Sequence, residues 1–305
     1  MEKKESDDNL FVYKDILNKR INWIDLLKCL AIIFVVIYHS GNLSCDIMTE
    51  TAGIEEYINY FSRTILSTCV PIFFFINGYL FFSKEFNYSL HIKKMLRYVA
   101  LAVVWGCITL FVLQFIKGEF LTGQQFVSYL YNWQHGWIHH LWFLGALVCL
   151  YVFAPLLKVV YDTNIKVFFM FLGICAILTF GNVFLEQGAS ILLWLLRDSN
   201  YLIEKNYFTI FNPFRGWPGY SVVYFCLGGV VYHYKNKIEG INVSSRNKIS
   251  VCVLIISCVI WFGLGLLFSH ITGSTYDVVW NGYATIFTLV NVICLYLLSL
   301  NLKKR

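Results

Sequence analysis

Charge is what this chain has least of. Asp, Glu, Lys and Arg make up 14% of its 305 residues, where soluble domains carry about a quarter, so almost nothing is left over for a water-facing domain. Proline is also scarce, at four residues, which leaves long apolar runs free to continue as helices. No CxxC pair occurs. Nine of the ten cysteines, all but Cys45, lie inside apolar runs, which excludes a disulfide scaffold or a zinc ribbon and reads as small packing residues. No GxSxG elbow, P-loop, HExxH or dinucleotide fingerprint is present, nor any internal repeat or low-complexity segment. No cleavable leader is expected either, because the first apolar run is too long and follows a charged tail of about twenty residues. What remains is 58% hydrophobic, with 27 Phe, 20 Tyr and 9 Trp. That is the composition of a chain that crosses a lipid bilayer several times.

Eight apolar runs of spanning length are expected, near 24–44, 63–82, 96–116, 141–161, 165–186, 217–235, 249–269 and 281–301. The expected fold class is all-α, a polytopic membrane helix bundle. The outer connectors near 117–140 and 187–216 leave room for re-entrant or interfacial helices, Ile191–Leu196 being one candidate, so the expectation is eight to ten transmembrane helices. Lys and Arg crowd alternate connectors: eighteen fall on the side of both termini and five, Arg63, Lys117, Arg197, Lys205 and Arg215, on the other. The positive-inside rule then places both termini in the cytoplasm. The net charge of +6 comes from these short loops and tails, and no nucleic-acid partner is implied. The domain reading is a tail over 1–22, one integral membrane domain over 23–302 and a short tail over 303–305.

Ionisable residues inside a membrane helix are costly and mark function. The first run carries three: Asp25, Lys28 and His39. Eleven residues separate Lys28 from His39, close to three helical turns, so the two share a face about 16 Å apart along the axis. Lys28 sits toward the cytoplasm and His39 toward the outside. A stripe of that length suits chemistry joining one side of a bilayer to the other. Proline-interrupted helices with buried charges also fit a secondary transporter, although no inverted pair of interrupted helices is evident.

Four blocks, in order along the chain, carry a resemblance. They are RINWIDLLKCLAIIFVVIYH (20–39), VPIFFFINGYLF (70–81), the basic cluster KKMLR (93–97) and HLWFLGALVCLYVFAPLLK (140–158), with a weaker YFCLGGVVYHYK (224–235). Together they resemble the acyltransferase 3 family of integral membrane O-acyltransferases. The resemblance implies transfer of an acyl group, usually acetyl, from cytosolic acyl-CoA to a hydroxyl of a bacterial cell-envelope sugar, polysaccharide or lipid-linked sugar, in the inner (plasma) membrane and without a metal. His39 then stands as general base or transient acyl carrier, with Glu186 at the outer end of the fifth run either orienting it or binding a sugar hydroxyl. Lys28, Lys94 and Arg97 are the candidates for the coenzyme A phosphates, and Asp25, Asn77, His140 and Trp142 for the acceptor pocket.

Plainer readings compete: a helix-end histidine, a local Asp25–Lys28 pair, positive-inside charge at Lys94 and Arg97, and a belt tryptophan at 142. Two positions depart from the family pattern. Lys28 stands where Arg is common, exchanging a planar fork for a point charge, and Asn77 stands where Ser is common. Both departures leave room for an inactive member acting as a membrane sensor. His135, His139 and His140 lie close together, but no carboxylate or thiol accompanies them, so no zinc site is expected.

Overall fold

The computed structural model describes residues 21–40, 45–131, 136–198, 200–208 and 219–302, and the side chains of all these but His139. Of the expected tails, 1–20 of the 1–22 tail and all of 303–305 lie outside them, as do His135 and Arg215. Among the described residues every regular element is helical. Six helical stretches are long and apolar enough to cross a membrane: Asn22–His39, Ile54–Phe82, Tyr88–Lys117, Trp142–Thr163, Ile165–Arg197 and Val243–Thr272. Two shorter apolar stretches, Tyr220–His233 and Ile286–Leu302, accompany them. Each of the eight expected runs thus falls on an apolar helix.

The chain forms two compact units. The first gathers the described parts of Met1–Phe73, Glu186–Glu204 and Tyr234–Arg305. It contains α1 (Asn22–His39), α2 (Ile54–Leu66), the start of α3 (Cys69–Phe82), most of α8 (Asn182–Arg197), a single turn α10 (Lys235–Glu239), α11 (Val243–Thr272) and α12 (Ile286–Ser299). Its core is Tyr60, Trp261, Phe268, Ile271, Val278 and Ile47. The long connector between α11 and α12 is tied down by buried polar groups. Tyr60 Oη donates to the Tyr276 carbonyl at 2.8 Å, Trp261 Nε1 donates to the Val278 carbonyl at 3.0 Å, and the Tyr276 amide donates to Ser269 Oγ at 2.9 Å. Buried backbone groups need such partners.

The second unit, Phe74–Leu185 with Lys205–His233, holds the rest of α3, α4 (Tyr88–Lys117), α5 (Gly123–Tyr131), a 3₁₀ segment (Gly136–Leu141), α6 (Trp142–Thr163), α7 (Ile165–Ala176), a π turn (Ile177–Gly181) leading into α8, and α9 (Tyr220–His233). Phe74, Phe75, Phe82, Tyr151, Phe168, Tyr224 and Phe225 are its large buried side chains. Helices α3 and α9 meet at glycines: a Cβ on Gly78 would collide with the Phe225 carbonyl, and one on Gly228 with the Phe75 carbonyl. Close backbone approach at small residues is how helices pack in lipid. The connector between α4 and α6 contains the short helix α5, which lays Phe126, Tyr129 and Leu130 against Leu110, Ile138 and Leu141.

Several details differ from expectation. The second span begins at Ile54, nine residues early, because α2 is amphipathic and its charged first turn hides it from a hydropathy reading. Pro71 does not kink a continuous helix. The chain breaks at Ser67–Thr68, and Pro71 falls in the first turn of α3, where a missing amide costs nothing. Ile191–Leu196 is not a separate re-entrant element, since the helix runs on through the polar Glu186–Gln187–Gly188 to Arg197. Two cations counted with the inner connectors are buried instead. Lys158 Nζ donates to the Phe82 carbonyl at the end of α3 (3.2 Å) and pairs with Asp162 at 2.9 Å, and Arg246 donates to Asn301 Oδ1 at 2.9 Å.

Candidate active site

The sequence-derived residues divide between the units. Asp25, Lys28, His39 and Glu186 belong to the first; Asn77, Lys94, Arg97, His140 and Trp142 belong to the second.

In the first unit α1 is unbroken from Asn22 to His39, so the spacing read from the sequence holds. Its inward face is Trp23, Ile24, Leu27 and Ala31, continued by Tyr38. At 100° per residue, Lys28, His39 and Asp25 lie roughly 60–120° around the axis from Ala31. The polar stripe therefore runs beside the packed face. Lys28 is half-buried, and Asp25 and His39 are exposed.

The His39 ring meets the Tyr38 ring edge-on, centroids 4.8 Å apart. Tyr38 is held in turn: its hydroxyl donates to Asp277 Oδ2 at 2.5 Å, and the Arg63 guanidinium lies over its ring at 5.6 Å. Asp277 Oδ1 accepts the Val279 and Trp280 amides at 2.9 and 3.1 Å. One carboxylate thus closes the turn of the α11–α12 connector and grips the residue before His39. Glu186 borders the same connector, because its charge acts on Tyr276. Burial pushes the Tyr276 phenol above the usual tyrosine range. Tyr60, Glu186 and Asp277 push the same way, and a hydrogen bond with Gln187 opposes them. Nearby Cys45 is also pushed up, mainly by burial; Arg63 opposes, and Asp277 and Asp46 add.

In the second unit α3, α4 and α6 converge on Tyr151, which is 1% exposed. Lys94 Nζ donates to the Tyr151 hydroxyl at 2.6 Å, and that hydroxyl donates onward to Asn77 Oδ1 at 3.3 Å. The Lys94 ammonium also lies 4.8 Å from the Tyr151 ring centroid and 5.9 Å from that of Tyr98, a cation–π setting. His91, buried one turn earlier on α4, stacks on Tyr151 at 5.4 Å, and its Nε2 meets the Tyr151 carbonyl at 2.8 Å. A carbonyl only accepts, so Nε2 carries the proton. Lys94 and Asn77, proposed for different ligands, are therefore bound into one chain of hydrogen bonds. Arg97 is exposed on the same helix. His140 and Trp142 are not part of this group. Trp142 begins α6, nine residues before Tyr151 and about 13 Å away along the axis, and His140 is exposed in the 3₁₀ segment before it.

Sequence reasoning missed Tyr38 and Asp277, which are 239 positions apart and carry no local signal. It also missed His91 and Tyr151. Here a signal existed, for Pro155 falls four residues after Tyr151 inside a helix.

Apolar helices of spanning length, with an ionisable stripe beside the packed face of one and a polar knot where others pack, define a polytopic membrane protein. The family model described as "Acyltransferase domain", Acyl_transf_3, matches residues 21–305, and the chain belongs to that family of membrane acyltransferases. No curated protein and no solved structure matches it.

Proposed function

We propose that the protein is a membrane O-acyltransferase that moves an acyl group, acetyl foremost, from cytosolic acyl-CoA to a hydroxyl of a cell-envelope sugar, polysaccharide or lipid-linked sugar in the inner membrane. The family match over 21–305 carries this reading; the unbroken stripe on α1 supports it. His39 takes the proton from the acceptor hydroxyl as that oxygen attacks the thioester carbonyl. The C–S bond breaks, the new C–O ester bond forms, and the proton passes from the imidazolium to the departing thiolate, releasing free coenzyme A. Glu186 orients the base, and Lys28, Lys94 and Arg97 answer the coenzyme A phosphates with cationic donors. Asp25, Asn77, His140 and Trp142 serve the acceptor side, with Asn77 acting through the Tyr151 hydroxyl it accepts.

The deciding experiment gives purified protein labelled acetyl-CoA and an envelope glycan fraction, then repeats it with His39→Ala. Removing a general base lowers turnover by about 100-fold or more while the variant still inserts and binds acetyl-CoA. Near-normal transfer by that variant removes His39 from the mechanism, and no transfer by the parent protein removes the proposed activity.

A further inference from the structure

Proline in a helix interior withholds one amide, and the carbonyl four residues earlier loses its donor. In α6 that proline is Pro155, and the carbonyl it strands belongs to Tyr151, which is buried in the second unit. The pyrrolidine ring also crowds that carbonyl and tilts it off the helix axis. A stranded buried carbonyl is expensive, and here it has a donor: His91 Nε2 reaches it at 2.8 Å. His91 is 7% exposed, between the rings of Phe81, Phe86 and Tyr151. One turn further along α4, Lys94 bonds the hydroxyl of the same tyrosine at 2.6 Å. A single turn of α4 therefore grips Tyr151 at both ends, carbonyl and hydroxyl.

We infer that His91 is a positioning residue: its imidazole stands in for the amide Pro155 lacks, and the bond sets the height of α4 on α6, holding the Lys94 ammonium where the donor's phosphates are bound. Without that bond α4 can slide or rotate against α6, and Lys94 loses its fixed approach to Tyr151 and Asn77. The bond itself follows from the geometry; its effect on the donor rests on Lys94 belonging to the acyl-CoA site as proposed above.

The test is a cycle of full-length proteins in nanodiscs: parent, His91→Ala, Pro155→Ala and the double variant, with His91→Gln and Lys94→Ala alongside. Acetyl-CoA KM, kcat, acceptor KM and the melting midpoint are measured for each. His91→Ala raises the acetyl-CoA KM about tenfold while kcat and acceptor KM stay within about twofold, the scale expected for one lost hydrogen bond to a buried carbonyl. His91→Gln, whose amide nitrogen reaches a similar point, recovers most of the loss. The double variant recovers it too, because Pro155→Ala restores a backbone amide that donates to the Tyr151 carbonyl. Additive losses in the double variant, or equal losses from Gln and Ala at 91, overturn the inference. If His91→Ala folds too poorly for kinetics, the melting cycle decides alone: recovery in the double variant supports the substitution of imidazole for amide, and additivity overturns it. If Lys94→Ala leaves acetyl-CoA KM unchanged, the donor-site reading fails, and the melting cycle still judges the His91 bond.

Discussion

At the scale of single residues, the polar groups that matter here are held by partners far away in sequence. His39 was legible because it stands in a local pattern, eleven residues from Lys28 on one helix. Its setting was not, because Asp277 reaches Tyr38 only after α11, α12 and the connector between them have folded. Asp277→Asn isolates that setting. The amide oxygen can still accept the Val279 and Trp280 amides, so the turn survives, but the charge-assisted bond to Tyr38 is weakened. A hydrogen bond to a charged group is worth about 1.5–3 kcal/mol, so turnover is expected to fall about tenfold or more with acetyl-CoA KM unchanged. An unchanged kcat would show that Tyr38 and His39 keep their places without this carboxylate.

At the scale of elements, hydropathy found every apolar run, and the physics explains where its edges went wrong. Helix α2 carries Glu55, Glu56 and Arg63 among its apolar residues, so an average over it looks like a loop, although Tyr60, Thr64 and Leu66 are buried and Arg63 turns inward over the Tyr38 ring. Pro71 and Pro155 look alike in sequence yet act differently. Pro71 sits in a first turn, where helices leave amides unused; Pro155 sits mid-helix and requires a donor from α4. Periodicity alone cannot tell these cases apart, because the start of a helix is fixed by what packs against it. At Gly78 the backbone that comes close belongs to α9. Gly78→Ala drives a methyl into the Phe225 carbonyl, which is backbone and cannot rotate away. Overpacking of this kind costs about 1–3 kcal/mol or more. The melting midpoint of the purified protein should fall by several degrees, whereas Gly173→Ala, with open space around its Cβ, should leave it in place. Equal midpoints for the two variants would mean that α3 and α9 are not in backbone contact.

At the scale of the whole molecule, the question is which way the helices run through the bilayer, and charge is the only guide the chain carries. The excess of Lys and Arg on the side of the termini argues for a cytoplasmic N-terminus, which under the proposed function would put Lys28 toward the acyl-CoA side and His39 toward the opposite one. Burial of Lys158 and Arg246 weakens the asymmetry by two charges without reversing it, because the remaining basic residues of the inner connectors still outnumber the five on the outer side. Thiol chemistry can read this orientation. Cys45, half-buried between α1 and α2, is the one cysteine outside the apolar helices. Its thiol ionises above the ordinary range because of burial. At neutral pH it therefore carries less thiolate than a free cysteine, and an impermeant alkylating reagent added to intact cells should label it slowly, at a rate that keeps rising as the pH is raised past the point where a free thiol levels off. Ser274→Cys, in the exposed part of the α11–α12 connector, should label from outside as well, while Ser6→Cys and Arg305→Cys should label only after the cells are opened. Labelling of Ser6→Cys in intact cells would invert every helix, put His39 on the cytoplasmic side with the donor, and turn the proposed transfer across the membrane into a reaction confined to one face.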